Sequence, residues 1–599
     1  MSASPDAVTS SRSPAASSKG RRHPVGLDRA RITGGFWAPR QTRNGEGEAI
    51  GPVFADSDVY KWLEAAAWEY GRNPNEDLLK RQRELTAVVA AAQREDGYLD
   101  SVVQLRDGDE GRYKHLVWSH EHYCAGHLMQ AAVAQVRCTG DRELLDVAIK
   151  LADHLVATFG DGAGQTVDVD GHPVIEMALV ELYRETGTTA YLDLAKWFVE
   201  ARGHGIIKEH GHDPTYFSDR VPVREATTVE GHAVRAVYLA AGATDVALET
   251  ADTELLEALK TQFEHMWSTK TYLTGGLGGR WEGEAFGDEY ELPTDRAYAE
   301  TCAAIGGIQW AWRMLLATGE ASYADAIERM LYNGFLAGVS LAGTEYFYVN
   351  ALQLRGGAHA DNGRSPAHGR RGWFDCACCP PNIMRTLASL DGYLASTSDG
   401  AIQIHQYAAG SLTAGDVTLT VDTAYPWDGA VAITASGPIA VELRIPAWAE
   451  GATVNGKPVD AGTYAHVDAA AGDVIELKLP MATRVVGADP RVDAVRGCVA
   501  LERGPLVYAV EQIDQQANVD DLHLLPEASI AASHDDQLLD GVTVLRTRGR
   551  AGTGHRDAVW PFATDSADGV GGEVDVVAVP YYAWANREIG AMRVWLPRA

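Results

Sequence analysis

The sequence predicts a multidomain chain in which a helical barrel of the (α/α)6 type is followed by C-terminal β-sandwich domains. Three observations predict this order. The chain has 599 residues, several times the length of a usual single domain. Apolar residues recur at three- and four-residue spacing from about residue 53 to about residue 397, which is typical of helices that pack on one another. After Asp399 apolar and polar residues alternate, as they do in half-buried strands.

Residues 1–26 are predicted to form a disordered N-terminal tail. They are rich in Ser, Ala and Pro, and they contain no apolar run that could serve as the core of a secretory signal. No window of the chain approaches the roughly 18 consecutive apolar residues that a membrane helix requires. We therefore expect a cytoplasmic protein that does not bind or cross a membrane.

Residues 27–397 are assigned to the helical domain. Successive helical hairpins joined by alternately short and long loops fit six inner and six outer helices around a central funnel, although periodicity alone leaves an open solenoid as an alternative. The twelve candidate helices cover residues 38–48, 57–72, 76–93, 117–138, 141–158, 173–186, 189–203, 226–243, 251–267, 298–317, 321–335 and 381–395.

Residues 398–490 are predicted to form one β-sandwich and residues 491–599 a second. Residues 417–421 alternate in the manner of a strand, and Asn455 followed by Gly456 is a strong signal for a two-residue hairpin turn. The density of such turns is typical of sandwiches. Whether the last strand of the second sandwich returns to the first is left open.

The charge balance narrows the class of partner. Lys and Arg number 52 against 82 Asp and Glu, which gives a formal net charge of -30. Such a chain repels nucleic acid and anionic membrane surfaces, so we expect neither as a partner. A neutral small molecule such as a sugar fits better, and a homodimer is left open.

Seven cysteines are too few and too crowded for a disulfide framework. Cys376, Cys378 and Cys379 lie within four positions, directly before Pro380 and a run with helical periodicity. Pro is favoured in the first turn of a helix, so Cys378 and Cys379 are expected just outside a helix N-terminus. The helix dipole there favours a thiolate over a thiol.

A second segment places Glu300 two residues before Cys302. Residues at this spacing do not lie on the same face of a helix, so the two side chains can converge only in a turn or at a frayed helix end. With Cys378 and Cys379 they offer one oxygen and three sulfur ligands, which match tetrahedral zinc better than calcium or magnesium. Two plainer interpretations stay open: a purely structural zinc site, or cysteines that are small buried apolar residues.

Nine short blocks spread over nearly the whole helical region carry a family resemblance. The blocks cover residues 56–62, 120–127, 171–172, 231–232, 283–286, 290–293, 299–302, 348–350 and 376–380. In these blocks the chain resembles glycoside hydrolase family 127, the β-L-arabinofuranosidases.

The resemblance implies an exo-glycosidase that removes terminal non-reducing β-L-arabinofuranose from a small oligosaccharide or glycoside. It implies a retaining double displacement through a thioglycosyl-enzyme intermediate, with Cys378 as the nucleophile and Glu284 as the general acid/base. It further implies that Zn²⁺ is bound by Glu300, Cys302, Cys378 and Cys379, and that the sugar is contacted by His120, His172, His232 and Tyr348.

Without the resemblance, the same residues favour simpler roles. Glu284 lies in a run of acidic residues typical of a solvated surface, and Tyr348 could be part of the core. Two other functions stay open: the same mechanism on a different furanoside, or a noncatalytic carbohydrate-binding protein whose zinc site is purely structural. The presence of both Glu284 and Cys378 argues against the second. Whether Cys376 contacts the metal ligands without itself binding the metal is also left open.

Overall fold

The computed structural model describes residues 12–15, 17, 19–27, 29–33, 53–207, 211–356, 363–398, 400–552 and 570–599. As predicted, a helical part comes first and a β-rich part follows it. Within these ranges no helix is both long enough and apolar enough to cross a membrane. The helix predicted at residues 38–48 lies outside the described residues.

The helical part of the described chain contains thirteen α-helices. They are α1 Ala55–Arg72, α2 Glu76–Ala92, α3 Ser101–Arg106, α4 Leu116–Ser119, α5 Glu121–Thr139, α6 Glu143–Thr158, α7 Ile175–Thr186, α8 Thr189–Ala201, α9 Ala233–Thr250, α10 Thr253–Thr269, α11 Thr301–Thr318, α12 Ala321–Arg329 and α13 Cys379–Ala388.

Six of these helices contact one another in a closed ring. Helix α1 contacts α5, and the contacts continue through α7, α9, α11 and α13 back to α1. Nearly every residue of α9 and α11 is buried, as expected for helices surrounded by other elements. Helices α2, α6, α8, α10 and α12 each follow a ring helix and pack against it, and they bury one face.

Several helices begin at other residues than the periodicity predicts. The helix predicted at 117–138 is interrupted at His120, whose backbone adopts the left-handed φ of 60° between α4 and α5. The helix predicted at 226–243 begins at Ala233, because the His232 side chain accepts a hydrogen bond from the Val234 backbone N–H and caps it. Cys379, expected outside its helix, is instead the first residue of α13.

The described part of residues 1–26 contradicts the predicted disordered tail. Ser13, Ala15 and Ser17 are buried, and Arg137 donates a hydrogen bond of 3.0 Å to the Ser13 carbonyl. Strand β1, His23–Pro24, pairs with strand β4, Ala395–Ser398. The segment carries little apolar periodicity of its own, so its order comes from contacts with distant parts of the chain.

The β-rich part contains two sheets followed by a third, larger hydrogen-bonded set. The five-stranded sheet has the order β1-β4-β5-β9-β12, the seven-stranded sheet has the order β11-β10-β13-β8-β7-β6-β2, and the ten-stranded set follows the path β14-β15-β16-β20-β19-β17. The strands are β1 His23–Pro24, β2 Ala30–Ile32, β3 Gln353–Leu354, β4 Ala395–Ser398, β5 Ala401–Ile404, β6 Gly410–Ala414, β7 Val417–Thr423, β8 Ala430–Ala435, β9 Ile439–Ile445, β10 Thr453–Val454, β11 Lys457–Pro458, β12 Thr463–Ala469, β13 Val474–Lys478, β14 Thr483–Gly487, β15 Cys498–Arg503, β16 Leu506–Glu511, β17 Leu522–Leu524, β18 Ala531–Asp535, β19 Val542–Gly552, β20 Val570–Pro580, β21 Met592–Arg593 and β22 Leu596–Pro597.

The C-terminal strands stay within the third set and fasten it to the helical part. The last strand, β22, pairs with β15, and β21 pairs with both β16 and β3, which belongs to the helical region. A π-helical turn at Met330–Phe335 adds a second link. Its Asn333 side chain donates to the Pro505 carbonyl at 2.9 Å and accepts from the Val507 N–H at 2.8 Å. These contacts hold the helical and C-terminal parts together.

Candidate active site

A cavity of about 310 Å³ lies where the N-termini of the ring helices converge. His120 directly precedes α5, His232 precedes α9, Glu300 precedes α11 and Cys378 precedes α13. His172 lies three residues before α7. Helix N-termini carry partial positive charge, so the cavity favours anionic side chains. Its volume suits a small sugar.

The predicted cluster of one carboxylate and three thiols is assembled at the base of this cavity. The Sγ atom of Cys302 lies 3.6 Å from that of Cys378 and 3.3 Å from that of Cys379, and the latter two are 3.8 Å apart. Oε1 of Glu300 lies 3.6 Å from the Cys378 sulfur and 3.9 Å from the Cys379 sulfur. All seven cysteines of the chain are free, so these short distances are not disulfides.

The four donors fit a tetrahedral metal ion. Ligands about 2.3 Å from a central zinc lie roughly 3.7 Å from one another, which is close to the separations observed. The second carboxylate oxygen of Glu300 is buried and has no hydrogen-bond partner within the described part of the chain. Burial, followed by the nearby charge of Cys378, raises the pKa of Glu300. A divalent cation would relieve both the burial and the mutual repulsion of these groups.

Two segments far apart in the chain meet to form this cluster. Glu300 lies in an extended conformation just before α11, so its side chain and that of Cys302 converge although their spacing shares no helix face. The Thr301 N–H donates to the Tyr348 carbonyl at 3.1 Å, and the Asn350 amide donates to the Ala299 carbonyl at 3.0 Å. The segment around Tyr348 is thereby fixed beside the cluster.

Glu284 lies on the cavity wall between two basic side chains. Arg364 donates a hydrogen bond to Oε1 of Glu284, and Nε2 of His232 lies 3.3 Å from Oε2. Because Nδ1 of His232 accepts the Val234 N–H, the proton of a neutral His232 ring is on Nε2, from which it is donated to Glu284. Glu284 has a left-handed φ of 52°, a strained conformation typical of functional residues.

These neighbours set the charge of Glu284. Burial raises its pKa, but the hydrogen bond and charge of His232 and the guanidinium of Arg364 outweigh burial and hold the pKa below its usual range. The carboxylate is therefore ionised in this arrangement. A carboxylate oxygen of Glu284 also lies within 4.8 Å of one of Glu300, so the acidic group and the thiol cluster share one cavity.

His120 and His172 offer hydrogen-bond acceptors to the cavity. Nδ1 of His120 donates to the Trp118 carbonyl at 2.7 Å and Nδ1 of His172 donates to the Pro173 carbonyl at 2.9 Å, which leaves Nε2 of each ring as an acceptor. Burial, followed by the charge of Arg235, lowers the pKa of His120 to about 3 and that of His172 well below its usual value. Both rings are therefore neutral and suited to accept from sugar hydroxyls.

The glycine before each of two cavity histidines is required by close backbone approach. A Cβ atom on Gly171 would lie 2.2 Å from the Val117 carbonyl oxygen, and one on Gly231 would lie 1.8 Å from the Thr215 carbonyl oxygen. Gly231 also has a φ of 72°. The paired residues at 171–172 and 231–232 are thus explained by packing as well as by chemistry.

Tyr348 and Cys376 flank the Cys378 thiol. The hydroxyl of Tyr348 lies 3.1 Å from Sγ of Cys378 and 3.6 Å from Sγ of Cys376. Tyr348 thus bridges the two sulfurs from outside the four-donor cluster. The guanidinium of Arg364 lies 4.3 Å from the centre of the Tyr348 ring, which links Tyr348 to Glu284.

The structure brings together all the site residues named from the sequence, and adds others that the sequence did not indicate. Glu284, the four donors, the three histidines and Tyr348 all line or adjoin the cavity. The additional lining residues include Phe54, Trp118, Tyr216, Arg235, Arg364 and Asn382. Phe54, Trp118 and Asn382 each lie two residues from a quoted block and Arg235 lies three residues from one, whereas Tyr216 and Arg364 lie well outside the blocks.

Family models match almost the whole chain. Residues 6–392 match the model described as the β-L-arabinofuranosidase, GH127 catalytic domain. Residues 401–481 match the GH127 middle domain, and residues 483–597 match the glycoside hydrolase family 127 C-terminal domain.

Similar proteins match more than nine-tenths of the chain. A protein of Bifidobacterium longum subsp. longum described as a non-reducing end β-L-arabinofuranosidase is 39% identical over 597 residues, which span 92% of this chain and 90% of that protein. A solved GH127 β-arabinofuranosidase is 34% identical with a TM-score of 0.88, and covers 97% of this chain and 98% of its own. A GH127 β-L-arabinofuranosidase from Geobacillus stearothermophilus T6 is 36% identical with a TM-score of 0.85, and covers 94% and 93%.

Proposed function

The chain belongs to glycoside hydrolase family 127, and from this we infer that it is a retaining exo-β-L-arabinofuranosidase with Cys378 as nucleophile and Glu284 as general acid/base. The observation that carries the proposal is that a thiol and a carboxylate face the same sugar-sized cavity. Its walls supply the neutral acceptors His120 and His172.

In the first step, the Cys378 sulfur attacks the anomeric carbon of a terminal β-L-arabinofuranose. The carbon–sulfur bond forms as the bond to the leaving oxygen breaks, and Glu284 gives its proton to that oxygen. In the second step, Glu284 takes a proton from a water molecule that attacks the same carbon. The carbon–sulfur bond breaks, and the sulfur leaves as a thiolate.

The ionised state of Glu284 suits the second step, in which Glu284 acts as a base. The hydrogen bond from Arg364 holds the carboxylate in this ionised form. For the first step it must carry a proton, so the contact with Arg364 has to weaken when the substrate enters. The bound sugar replaces water around the carboxylate, which favours its protonated form.

Zinc is the metal that the donor set favours, because thiolate ligands in a closed tetrahedral arrangement are typical of zinc. The residues that would hold it are Glu300, Cys302, Cys378 and Cys379. A bound zinc would supply thiolate character at neutral pH, where a free thiol with a pKa of about 8.5 is mostly protonated. A second group of close ligand atoms, His232, Glu284 and Glu300, is less suited to a cation because Arg364 already pairs with Glu284.

Two further features of the proposal concern the architecture of the chain. The closed ring α1-α5-α7-α9-α11-α13 supports an (α/α)6 barrel as the catalytic domain. The predicted boundary between residues 397 and 398 is supported by the family-model limits at residues 392 and 401. The predicted boundary between residues 490 and 491 is not supported, because the C-terminal family model begins at residue 483 and β14 pairs with β15 of the third set. A cytoplasmic location and a homodimer stay predictions.

Of the two other functions considered, one stays open. A noncatalytic carbohydrate-binding protein disagrees with membership in a family of glycoside hydrolases. The same mechanism on a different furanoside differs only in which sugar hydroxyls meet His120, His172 and His232. A panel of furanosides that differ from the β-L-arabinofuranoside at single hydroxyls distinguishes β-L-arabinofuranose from another furanose as the substrate.

The activity is tested with para-nitrophenyl β-L-arabinofuranoside and purified wild type, Cys378→Ser and Glu284→Gln, with bound metal measured by elemental analysis. Cys498→Ser is the control for losing a thiol, and Glu282→Gln is the control for Glu284→Gln, because Glu282 lies two residues away with a side chain 81% exposed. We expect release of para-nitrophenol by wild type and both controls, and loss of turnover in Cys378→Ser and Glu284→Gln. Full activity in Cys378→Ser would contradict the cysteine mechanism, and metal-loaded wild type without activity would contradict the choice of sugar.

A further inference from the structure

Residues 581–589 of the C-terminal part lie against two segments that carry residues of the candidate active site. This 581–589 segment follows β20 and precedes β21. The first of the two is the Tyr348 segment, residues 347–351, and the second is the Arg364 segment, residues 363–376. Among the described residues that line the cavity, none comes from the 581–589 segment. It can therefore influence the reaction only through the Tyr348 and Arg364 segments.

Phe347 and Tyr348 connect the C-terminal part to the thiol cluster. Phe347 is 1% exposed and packs in an apolar cluster with residues of the C-terminal part, where its ring stacks on that of Trp584 with centres 5.1 Å apart. Tyr348 packs in a separate, larger apolar cluster, and its hydroxyl lies 3.1 Å from Sγ of Cys378. The position of Tyr348 beside the sulfur is thus tied to the stack made by the residue directly before it.

The Tyr581 hydroxyl holds the other end of the Tyr348 segment. It donates to the carbonyls of Asn350 and Ala351, at 3.0 Å and 2.9 Å. The Asn350 side chain in turn donates to the Ala299 carbonyl at 3.0 Å and to the Thr301 hydroxyl at 2.9 Å, on either side of a proposed metal ligand. Tyr581 and Asn350 are both buried, so these hydrogen bonds are shielded from water.

Arg370 joins the 581–589 segment to the Arg364 segment. Its guanidinium donates to the Trp584 carbonyl at 2.8 Å and to the Ala337 carbonyl at 3.1 Å. It also lies 4.2 Å from the centre of the Phe347 ring, which is within the range of a cation–π contact. Phe347 therefore has Trp584 and Arg370 as ring partners, and one arginine contacts both the C-terminal part and the Tyr348 segment.

A compact turn connects Arg370 to Arg364. The short helix Pro366–His368 occupies the middle of this turn. Gly369 follows with a left-handed φ of 76°, and a Cβ atom on it would lie 2.4 Å from Cδ1 of Ile589 in the 581–589 segment. The turn is thus packed directly on the C-terminal part. Because it is short and partly helical, a displacement of Arg370 is passed on to Arg364.

We propose that the 581–589 segment completes the active site, with Arg370 as the residue that positions Arg364 and Tyr348. Arg364 contacts the Glu284 carboxylate and lies 4.3 Å from the centre of the Tyr348 ring, whose hydroxyl lies beside Cys378. Both proposed catalytic groups therefore depend on contacts that the C-terminal part supplies. This inference rests on the proposed function, and it gives the C-terminal part a share in the reaction beyond its share in folding.

The test is a double-mutant cycle on the full-length protein, with kcat/KM for para-nitrophenyl β-L-arabinofuranoside measured at the pH optimum of each variant. Arg370→Met should lower kcat/KM about tenfold, because a displaced Arg364 leaves Glu284 misaligned. In an Arg364→Met background the same substitution should lower kcat/KM by about twofold or less, since no Arg364 is left to position. Arg370→Lys should recover most of the loss, because an ammonium group can donate to the same carbonyls.

Asn333→Ala is the matched control. Asn333 is a buried side chain that also links the helical part to the C-terminal part, but its hydrogen bonds there go to Pro505 and Val507 and not to the 581–589 segment. Asn333→Ala should lower the melting temperature. Its effect on kcat/KM should be the same with and without Arg364→Met, because it does not act through Arg364.

An unchanged kcat/KM in Arg370→Met, or an equal loss in both backgrounds, would overturn the positioning role while wild-type activity still supported the proposed function. If wild type hydrolysed no furanoside, the proposed function would fail. Crystal structures of wild type and Arg370→Met would then decide the inference, which requires that Arg364 lose its contact with Glu284 in the variant. If Arg370→Met did not fold, Arg370→Gln, which can still donate to a carbonyl, would take its place in the cycle.

Discussion

Arg364 donates a hydrogen bond to the Glu284 carboxylate from one side while His232 contacts its other oxygen at 3.3 Å. The same Arg364 nitrogen donates to the Tyr298 hydroxyl at 2.6 Å. Arg364 thus holds the proposed acid/base in its ionised form and connects it to the aromatic residues around the thiol cluster. The substrate-free cavity is prepared for the second step of the proposed mechanism rather than for the first.

Removal of Arg364 should shift the pH dependence of the reaction upward. The pKa of Glu284 is held below its usual range, and as a general acid Glu284 works only when protonated. The alkaline limb of the kcat/KM profile should therefore move to higher pH by about one to two units in Arg364→Met. Arg364→Lys keeps the charge and should shift less. An unchanged limb, or one at lower pH, would mean that Arg364 does not set the proton affinity of Glu284.

Loss of one proposed metal ligand should remove both the metal and stability. Wild type should contain about one zinc per chain. Cys302→Ser should contain much less, melt at a lower temperature and lose about a hundredfold or more in activity, because the remaining three donors cannot close the site. Elemental analysis and thermal unfolding are the measurements. Cys124→Ser, a buried thiol outside the cluster, is the control for removing a sulfur atom. Equal zinc in wild type and Cys302→Ser would exclude Cys302 as a ligand.

Asp170 should be needed to align two cavity histidines. Its carboxylate accepts hydrogen bonds from the backbone N–H groups of His122 at 2.9 Å, Tyr123 at 3.3 Å and His172 at 2.7 Å. Asp170→Ala leaves these buried donors unpaired and should lower the free energy of unfolding by about 2–3 kcal/mol. KM should rise as well, because the segments that carry His120 and His172 lose their common support. Asp168→Ala serves as the control, since the adjacent Val169 N–H is the one hydrogen-bond donor to the Asp168 carboxylate among the described residues. Denaturant unfolding that shows equal loss in both variants would argue against this role.

A buried ion cluster in the ring should matter for stability and not for chemistry. Asp245 on α9 accepts hydrogen bonds from Arg184 at 2.8 Å and from Arg313 on α11, and all three residues are buried. Asp245→Ala leaves two cations partly uncompensated and should destabilise the protein by about 3–5 kcal/mol. The kcat of the folded variant should match that of wild type. A large loss of kcat without a change in the free energy of unfolding would contradict this separation.

The order of helical and β-rich parts could be predicted from the local sequence. It shows the three- to four-residue spacing of apolar residues in helices and their two-residue spacing in strands. Helix ends were less predictable. Helix α5 starts after the left-handed backbone of His120, α9 starts at the local cap that His232 gives to the Val234 N–H, and α11 starts after Glu300, which pairs with Val349. The short strands β1 and β2 gave no local signal. They exist because β4 and β6 offer them hydrogen-bonding edges nearly four hundred residues away.

The donor cluster was predictable as a set of residue types, because three thiols and a carboxylate in two short segments are rare. The assignment of Glu284 required the family resemblance, since its local sequence is that of an acidic surface loop. Arg364 and Tyr216 were not predicted at all. Their relevance depends on the folded distance to Glu284, and neither lies in a motif whose spacing could indicate it.

The central claim, that Cys378 carries the sugar during the reaction, is tested most directly by mass spectrometry of Glu284→Gln incubated with para-nitrophenyl β-L-arabinofuranoside. The activated leaving group needs little help from an acid, whereas the second step still needs the missing base, so the intermediate should accumulate. We predict a mass increase of one pentose residue on the peptide that contains Cys378. This increase should be absent in the double variant Cys378→Ala, Glu284→Gln. A pentose on a different residue, or turnover that never yields an adduct on Cys378, would contradict the claim.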